Sequence, residues 1–201
     1  MLMFHDVLLV MALREENDSE RLNDFGDILY TGVGKINATL HLAEALLQRD
    51  RRNLLVLNLG SAGSHVLDAG QVVAVNRFFE RDMDATALGC LPGQTPYEEH
   101  VYLETGLSLP GMPGKTCSTG DRFLAVTDPD EVYEVIDMEA YALAKTSHHF
   151  GVPFACLKFI TDGADGQAAA DWRSSLALAT EALAETLARL APQLWKNEGL
   201  K

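Results

Sequence analysis

Cysteine is scarce in this chain, with three in 201 residues: Cys90, Cys117 and Cys156. An odd count at wide spacing makes neither a disulfide framework nor a thiolate zinc site. It suits a reducing compartment, so a cytoplasmic location is expected. Basic residues are also few, 16 Lys and Arg against 29 Asp and Glu, which leaves a net charge of -13. Such a surface repels phosphate backbones and anionic lipid and excludes nucleic acid and membranes as expected partners. No apolar run has the length of a membrane span. The N-terminal "MLMFHDVLLVMALREE" has an apolar middle but no basic start and no small-residue cleavage site. It therefore reads as a first strand rather than a secretion signal. Repeats, low-complexity tracts and recognisable linkers are missing too. A single domain over residues 1–201 is the expectation, with 47% hydrophobic residues to fill its core.

What is present is an alternation of two patterns. "DVLLVMAL" (6–13), "NLLVLNLGSAGS" (53–64) and "VPFACLKFITD" (152–162) are continuous apolar runs. Runs of that kind predict strands covered on both faces. "ILYTGVG" predicts a short strand, "GQVVAVNRFFERD" a bent one, and "KTCSTGD" and "DEVYEVIDME" two more. Between them, "KINATLHLAEALLQRD" has helical spacing, with Ile36, Leu40, Leu42, Ala45 and Leu46 as its apolar stripe. "EAYALAKTSHHF" predicts a second helix, and a long amphipathic one follows from "AADWRSS" to "APQLW". "REENDSERLNDFGD" reads as a polar loop. Residues 82–115, rich in Pro and Gly, read as a long functional loop. Strands alternating with helices predict an α/β fold with a largely parallel sheet.

In open α/β sheets ligands bind where strands end. Those ends carry Arg14, Glu15 and Glu16; Gly32 to Lys35; Gly60, Ser61, Ala62 and Gly63; Asp137, Met138 and Glu139; and Thr161 with Asp162. Each alone has an ordinary explanation. Glu16 is a solvated loop charge, "GVGK" an incomplete phosphate loop, Glu139 a first-turn helix acid and Asp162 a helix cap. Together they set several carboxylates, a hydroxyl and close-approach glycines on one rim.

In this order the motifs resemble the nucleoside phosphorylase and nucleosidase superfamily, most closely the 5'-methylthioadenosine/S-adenosylhomocysteine nucleosidases. The segments that carry the resemblance are "MALREE", "TGVGKINATL", "NLGSAGS", "RDMDATALG", "STGDRFL", "DMEAYALA" and "FITDGAD". It implies a three-layer αβα fold around a mixed, largely parallel twisted sheet, and an enzyme without metal or organic cofactor. It also implies roles. Asp162 protonates the leaving base, and Glu16 activates water with help from Ser61. Glu139 holds the ribose hydroxyls and Phe123 stacks on the purine. Leu13, Leu124, Met138, Lys158 and Thr161 complete the substrate-binding set. A homodimer is implied as well, with the partner's 82–115 loop closing the pocket around the 5'-group.

The chemistry of an N-ribosidic bond fits those types. A purine leaves as an anion and the sugar becomes cation-like. An acid at one side, a carboxylate near the ribose and a base for water at the other side all lower that barrier. Asp rather than Asn at 162 favours a 6-aminopurine. Asn58 stands where the resemblance places a phosphate-binding Arg in phosphorylases, and an amide supplies neither charge nor fork. Lys158 takes a position that is Arg in the nucleosidases, and Arg14 with Lys158 forms a candidate anion site. Hydrolysis is therefore the first reading. A phosphate-dependent phosphorylase and a non-catalytic nucleoside binder are the alternatives.

Overall fold

The computed structural model describes residues 4–104, 107–124, 133–165 and 168–195. Three apolar runs become β1 (Asp6–Met11), β3 (Leu54–Gly63) and β8 (Phe154–Asp162). They lie side by side and parallel, β3 in the middle. Their side chains alternate between two cores, as a strand's period of two requires. Leu8, Val10, Val56 and Cys156 point to one core, and Leu9, Leu57, Leu157 and Phe159 to the other. Apolar residues on both faces need cover on both faces. The helices α1 (Lys35–Gln48) and α2 (Ala140–His149) supply it on one side, and α3 (Ala168–Leu194) on the other. The layers are the three expected.

The sheet is mixed and mostly parallel. β2 (Ile28–Tyr30) extends it beyond β1, and β5 (Tyr102–Glu104) pairs antiparallel with β4 (Val72–Glu80). β6 (Gly114–Thr119) lies parallel to both β4 and β7 (Val135–Asp137). The sheet also closes on itself. β8 pairs with β3 on one side and with β4 on the other, and β7 returns to β3, so β3, β8, β4, β6 and β7 form a closed ring. The closing join is a single ladder pair, Gly63 opposite Ile136. β4 bends as predicted, with a register shift between Val75 and Arg77.

The stripe expected on α1 is only half right. Ala38, Leu42 and Leu46 are buried, while Ile36 is 72% and Leu40 61% exposed. The helix carries two apolar ladders at i, i+4 spacing, and only the one with alanine at the close approach meets the sheet. The polar segment after β1 is more ordered than a loop, forming 3-10 turns over Arg14–Asn17 and Arg21–Phe25. Among the described residues no helix is long and apolar enough to cross a membrane.

Candidate active site

The ends of β1, β3, β7 and β8 meet at one cleft. Its wall includes Leu13, Ser61, Phe123, Leu124, Met138, Glu139, Thr161 and Asp162. These eight expected residues come together although they span most of the chain. Glu16 and Lys158, also expected, lie one layer behind the wall, 5% and 2% exposed.

Asp162 ends β8 and is 6% exposed. Its Oδ2 accepts from the Thr161 hydroxyl at 2.6 Å and its Oδ1 from the Ala164 amide at 2.9 Å. It is not a cap on the next helix, since α3 begins only at Ala168. The carboxylate instead closes a two-residue turn and still faces the cleft.

Glu139 stands just ahead of α2 and is 7% exposed. Its Oε1 accepts from the Gly34 amide at 2.8 Å. Gly34 adopts φ +94°, a backbone conformation that favours glycine. This explains one glycine of "TGVGK": it turns an amide onto the carboxyl rather than onto a phosphate. Burial, and then the neighbouring Asp137 charge, push the Glu139 carboxyl up to about 8.

Beneath the wall, Lys158 Nζ pairs with Asp137 Oδ2 at 2.9 Å, both side chains 2% exposed. Burial lowers the ammonium's pKa, but Asp137 and other nearby acids more than offset it, leaving Lys158 raised. Burial acts on Asp137 the other way, yet the Lys158 charge and the Thr119 hydroxyl hold its carboxyl below the usual range. Both shifts describe an ionised pair. Lys158 therefore does not reach into the cleft as the sequence suggested, because its charge is already matched. Arg14 does not join it, since its guanidinium lies over the Tyr30 ring at 4.5 Å. Asn58 is turned into the sheet, its Nδ2 donating to the Val10 carbonyl at 3.0 Å.

Glu16 accepts three hydrogen bonds. Oε1 accepts from the Ser61 amide at 2.8 Å and the Ser61 hydroxyl at 2.7 Å, and Oε2 from the Leu13 amide at 3.2 Å. A Cβ at Gly60 would stand 3.3 Å from Glu16 Oε1 and 3.4 Å from Lys158 Nζ, so the glycine lets β3 pass over both. Sequence reasoning missed two residues here. Asp137 appeared only as a rim residue, and its pairing with Lys158 is a contact that no spacing reveals. Trp172, on the first turns of α3, lines the cleft and donates from Nε1 to the Ser61 Oγ at 2.8 Å. A tryptophan in an amphipathic helix reads as core from sequence alone.

The buried cysteines lack thiolate character. Burial pushes Cys156 up to about 12 and Cys117 well above its ordinary value, so neither is poised as a nucleophile.

Five strands closed into a ring, helices on both sides and acids gathered at the strand ends make an α/β protein with a cleft at its strand ends. Residues 119–192 match the family model described as the Phosphorylase superfamily. The chain is 31% identical over 179 residues to the 5'-methylthioadenosine/S-adenosylhomocysteine nucleosidase of Haemophilus influenzae, covering 77% of this chain and 75% of the relative. It is 32% identical over 158 residues to the nucleosidase of the same name from Bacillus subtilis, covering 67% of each. The Helicobacter pylori nucleosidase of this name, solved with butyl-thio-DADMe-Immucillin-A, superposes with a TM-score of 0.81 at 22% identity, over 95% of this chain and 99% of that one. The futalosine hydrolase of Helicobacter pylori gives the same TM-score at 21% identity, over 94% and 98%. The chain belongs to the 5'-methylthioadenosine/S-adenosylhomocysteine nucleosidase family.

The raised Glu139 carboxyl has a consequence for stability. Its folded value, about 8, lies above the ordinary 4.5, so the folded protein binds the proton more tightly. Stability contributed by that proton is full below about 4.5 and is lost as pH rises through about 8. The acids with lowered values, such as Asp137, act below this window, and Lys158 and the thiols act above it. Glu139→Gln, a neutral isostere that keeps the acceptor for Gly34, is expected to flatten the fall. Denaturant titrations at pH 5 and pH 8 check this, with the variant gaining up to a few kcal/mol on the wild type at the higher pH.

Proposed function

We propose that this protein hydrolyses the N-ribosidic bond of an adenine nucleoside of the 5'-methylthioadenosine type, releasing the free base. The observation that carries the reading is the gathering of buried carboxylates at one cleft, Glu139 and Asp162 on its wall and Glu16 just behind it. Asp162 sits at the end of β8 beside the Thr161 hydroxyl, where it can pass a proton to purine N7. Phe123 and Leu124, on the segment after β6, offer an apolar face to the base. Glu139 has Oε2 free of the Gly34 bond to accept from the ribose hydroxyls. Glu16 has one acceptor site left on Oε2, suited to taking a proton from water. Leu13 and Met138 supply apolar wall.

Water is favoured over phosphate as nucleophile by the state of the cations. Near Glu16 and Ser61, Lys158 is committed to Asp137 and Arg14 to the Tyr30 ring. Arg122, which does line the cleft, belongs to the loop that carries Phe123. The test is to incubate adenosine, 5'-methylthioadenosine and inosine with and without inorganic phosphate. Free adenine without phosphate is the expected result, with inosine the poorest substrate. Strict dependence on phosphate establishes the phosphorylase instead, and tight binding without any turnover establishes a binding protein.

The same reading places the protein in the cytoplasm, in purine salvage, and as a pair of identical chains. The exposed Val33, Ile36, Leu40 and Leu47 at and along α1 support the pairing, because apolar side chains grouped on one element favour burial against another surface.

A further inference from the structure

We propose that Trp172 is a positioning residue for Glu16, acting through the Ser61 hydroxyl. The inference rests on the function proposed above, in which Glu16 takes a proton from water. An indole N–H can donate and cannot accept, whereas a serine hydroxyl has one proton and two lone pairs. Trp172 Nε1 lies 2.8 Å from Ser61 Oγ, so the oxygen must be the acceptor there. The same oxygen is 2.7 Å from Glu16 Oε1. Its single proton is therefore directed at the carboxylate and cannot turn into the cleft.

This has a consequence for Glu16. Oε1 is filled by two donors, the Ser61 amide and the Ser61 hydroxyl. A carboxylate oxygen offers about two acceptor sites, so only Oε2, which holds the Leu13 amide alone, retains capacity for water. Trp172 thus selects which oxygen acts. The helix that carries it also holds the backbone of the same residue, since the Thr180 hydroxyl donates to the Glu16 carbonyl at 3.0 Å. α3 fixes Glu16 at both its main chain and, through Ser61, its side chain.

The experiment is a double-mutant cycle of Trp172→Phe and Ser61→Ala. Phenylalanine keeps the ring and removes the donor. Trp172→Phe is expected to lower kcat for 5'-methylthioadenosine roughly five- to tenfold, the worth of one neutral hydrogen bond, with KM within about twofold. On the Ser61→Ala background the same change should cost nothing more, because the group it acts through is gone. Losses that multiply, or a rise in KM with kcat unchanged, overturn the proposal and leave Trp172 as a wall. A second readout needs no turnover. The chain has two tryptophans, so the indole N–H resonance missing in Trp172→Phe identifies its owner. That N–H should be protected from solvent exchange in the wild type and lose protection in Ser61→Ala. Unchanged exchange overturns the link. If the wild type hydrolyses no nucleoside, the proposed function fails while this second readout still decides the hydrogen bond.

Discussion

Asp162→Asn is expected to lower hydrolysis of adenosine and 5'-methylthioadenosine by roughly a hundred- to ten-thousandfold, the range for loss of a positioned acid. The fold should hardly notice. Asn keeps an oxygen for the Ala164 amide. The Thr161 hydroxyl, now facing an NH2 group, can give its proton to the Ala62 carbonyl, 3.2 Å away in the native arrangement. Its stability should change by at most about 1 kcal/mol, the scale of one such polar contact. Binding should weaken only modestly, since an amide can still donate to N7. The informative arm is a riboside with a good leaving group, such as a nitrophenyl riboside. It needs no proton on departure and should be hydrolysed comparatively well by the variant. Wild-type turnover of adenosine by Asp162→Asn would reduce Asp162 to a turn-former and remove the acid from the mechanism.

Glu16→Gln is the second large effect, a fall of roughly a hundredfold or more in turnover, with nucleoside binding largely kept. Here the structure does predict a cost. Every donor around Glu16 is an N–H or O–H aimed at a carboxylate oxygen, so an amide must bring an NH2 group against either Leu13 or Ser61. A lowered melting temperature should accompany the lost rate. Measuring base release alongside nucleoside binding separates the two, because a variant that binds normally and does not hydrolyse has lost chemistry rather than structure. Near-normal hydrolysis would exclude Glu16 as the base.

The sequence made some of this legible and concealed the rest for identifiable reasons. Strands buried on both faces announce themselves as unbroken apolar runs, so β1, β3 and β8 were readable almost to the residue. Polar residues that end such runs are conspicuous, and Ser61, Glu139, Thr161 and Asp162 were readable for that reason. Ring closure was not readable, because it depends on β8 pairing with β4 as well as β3, and pairing leaves no mark in composition. The state of Lys158 was hidden likewise. A lysine in an apolar strand signals a buried charge, but its partner Asp137 lies on another strand and only the packing joins them. Trp172 was missed because its indole body satisfies the helix's apolar pattern while its single polar atom performs a separate task.

The ring closes at Gly63 and Ile136, and both residues line the cleft. The join with the fewest ladder bonds and the pocket are therefore the same place. A ligand seated there touches both banks of the seam and acts as a clasp. By mass action it adds about 2.7 kcal/mol at a hundredfold excess over its dissociation constant. The ligand would bridge the ring's join with the fewest ladder pairs. Bound ligand is therefore expected to slow amide exchange along β7 relative to the empty protein.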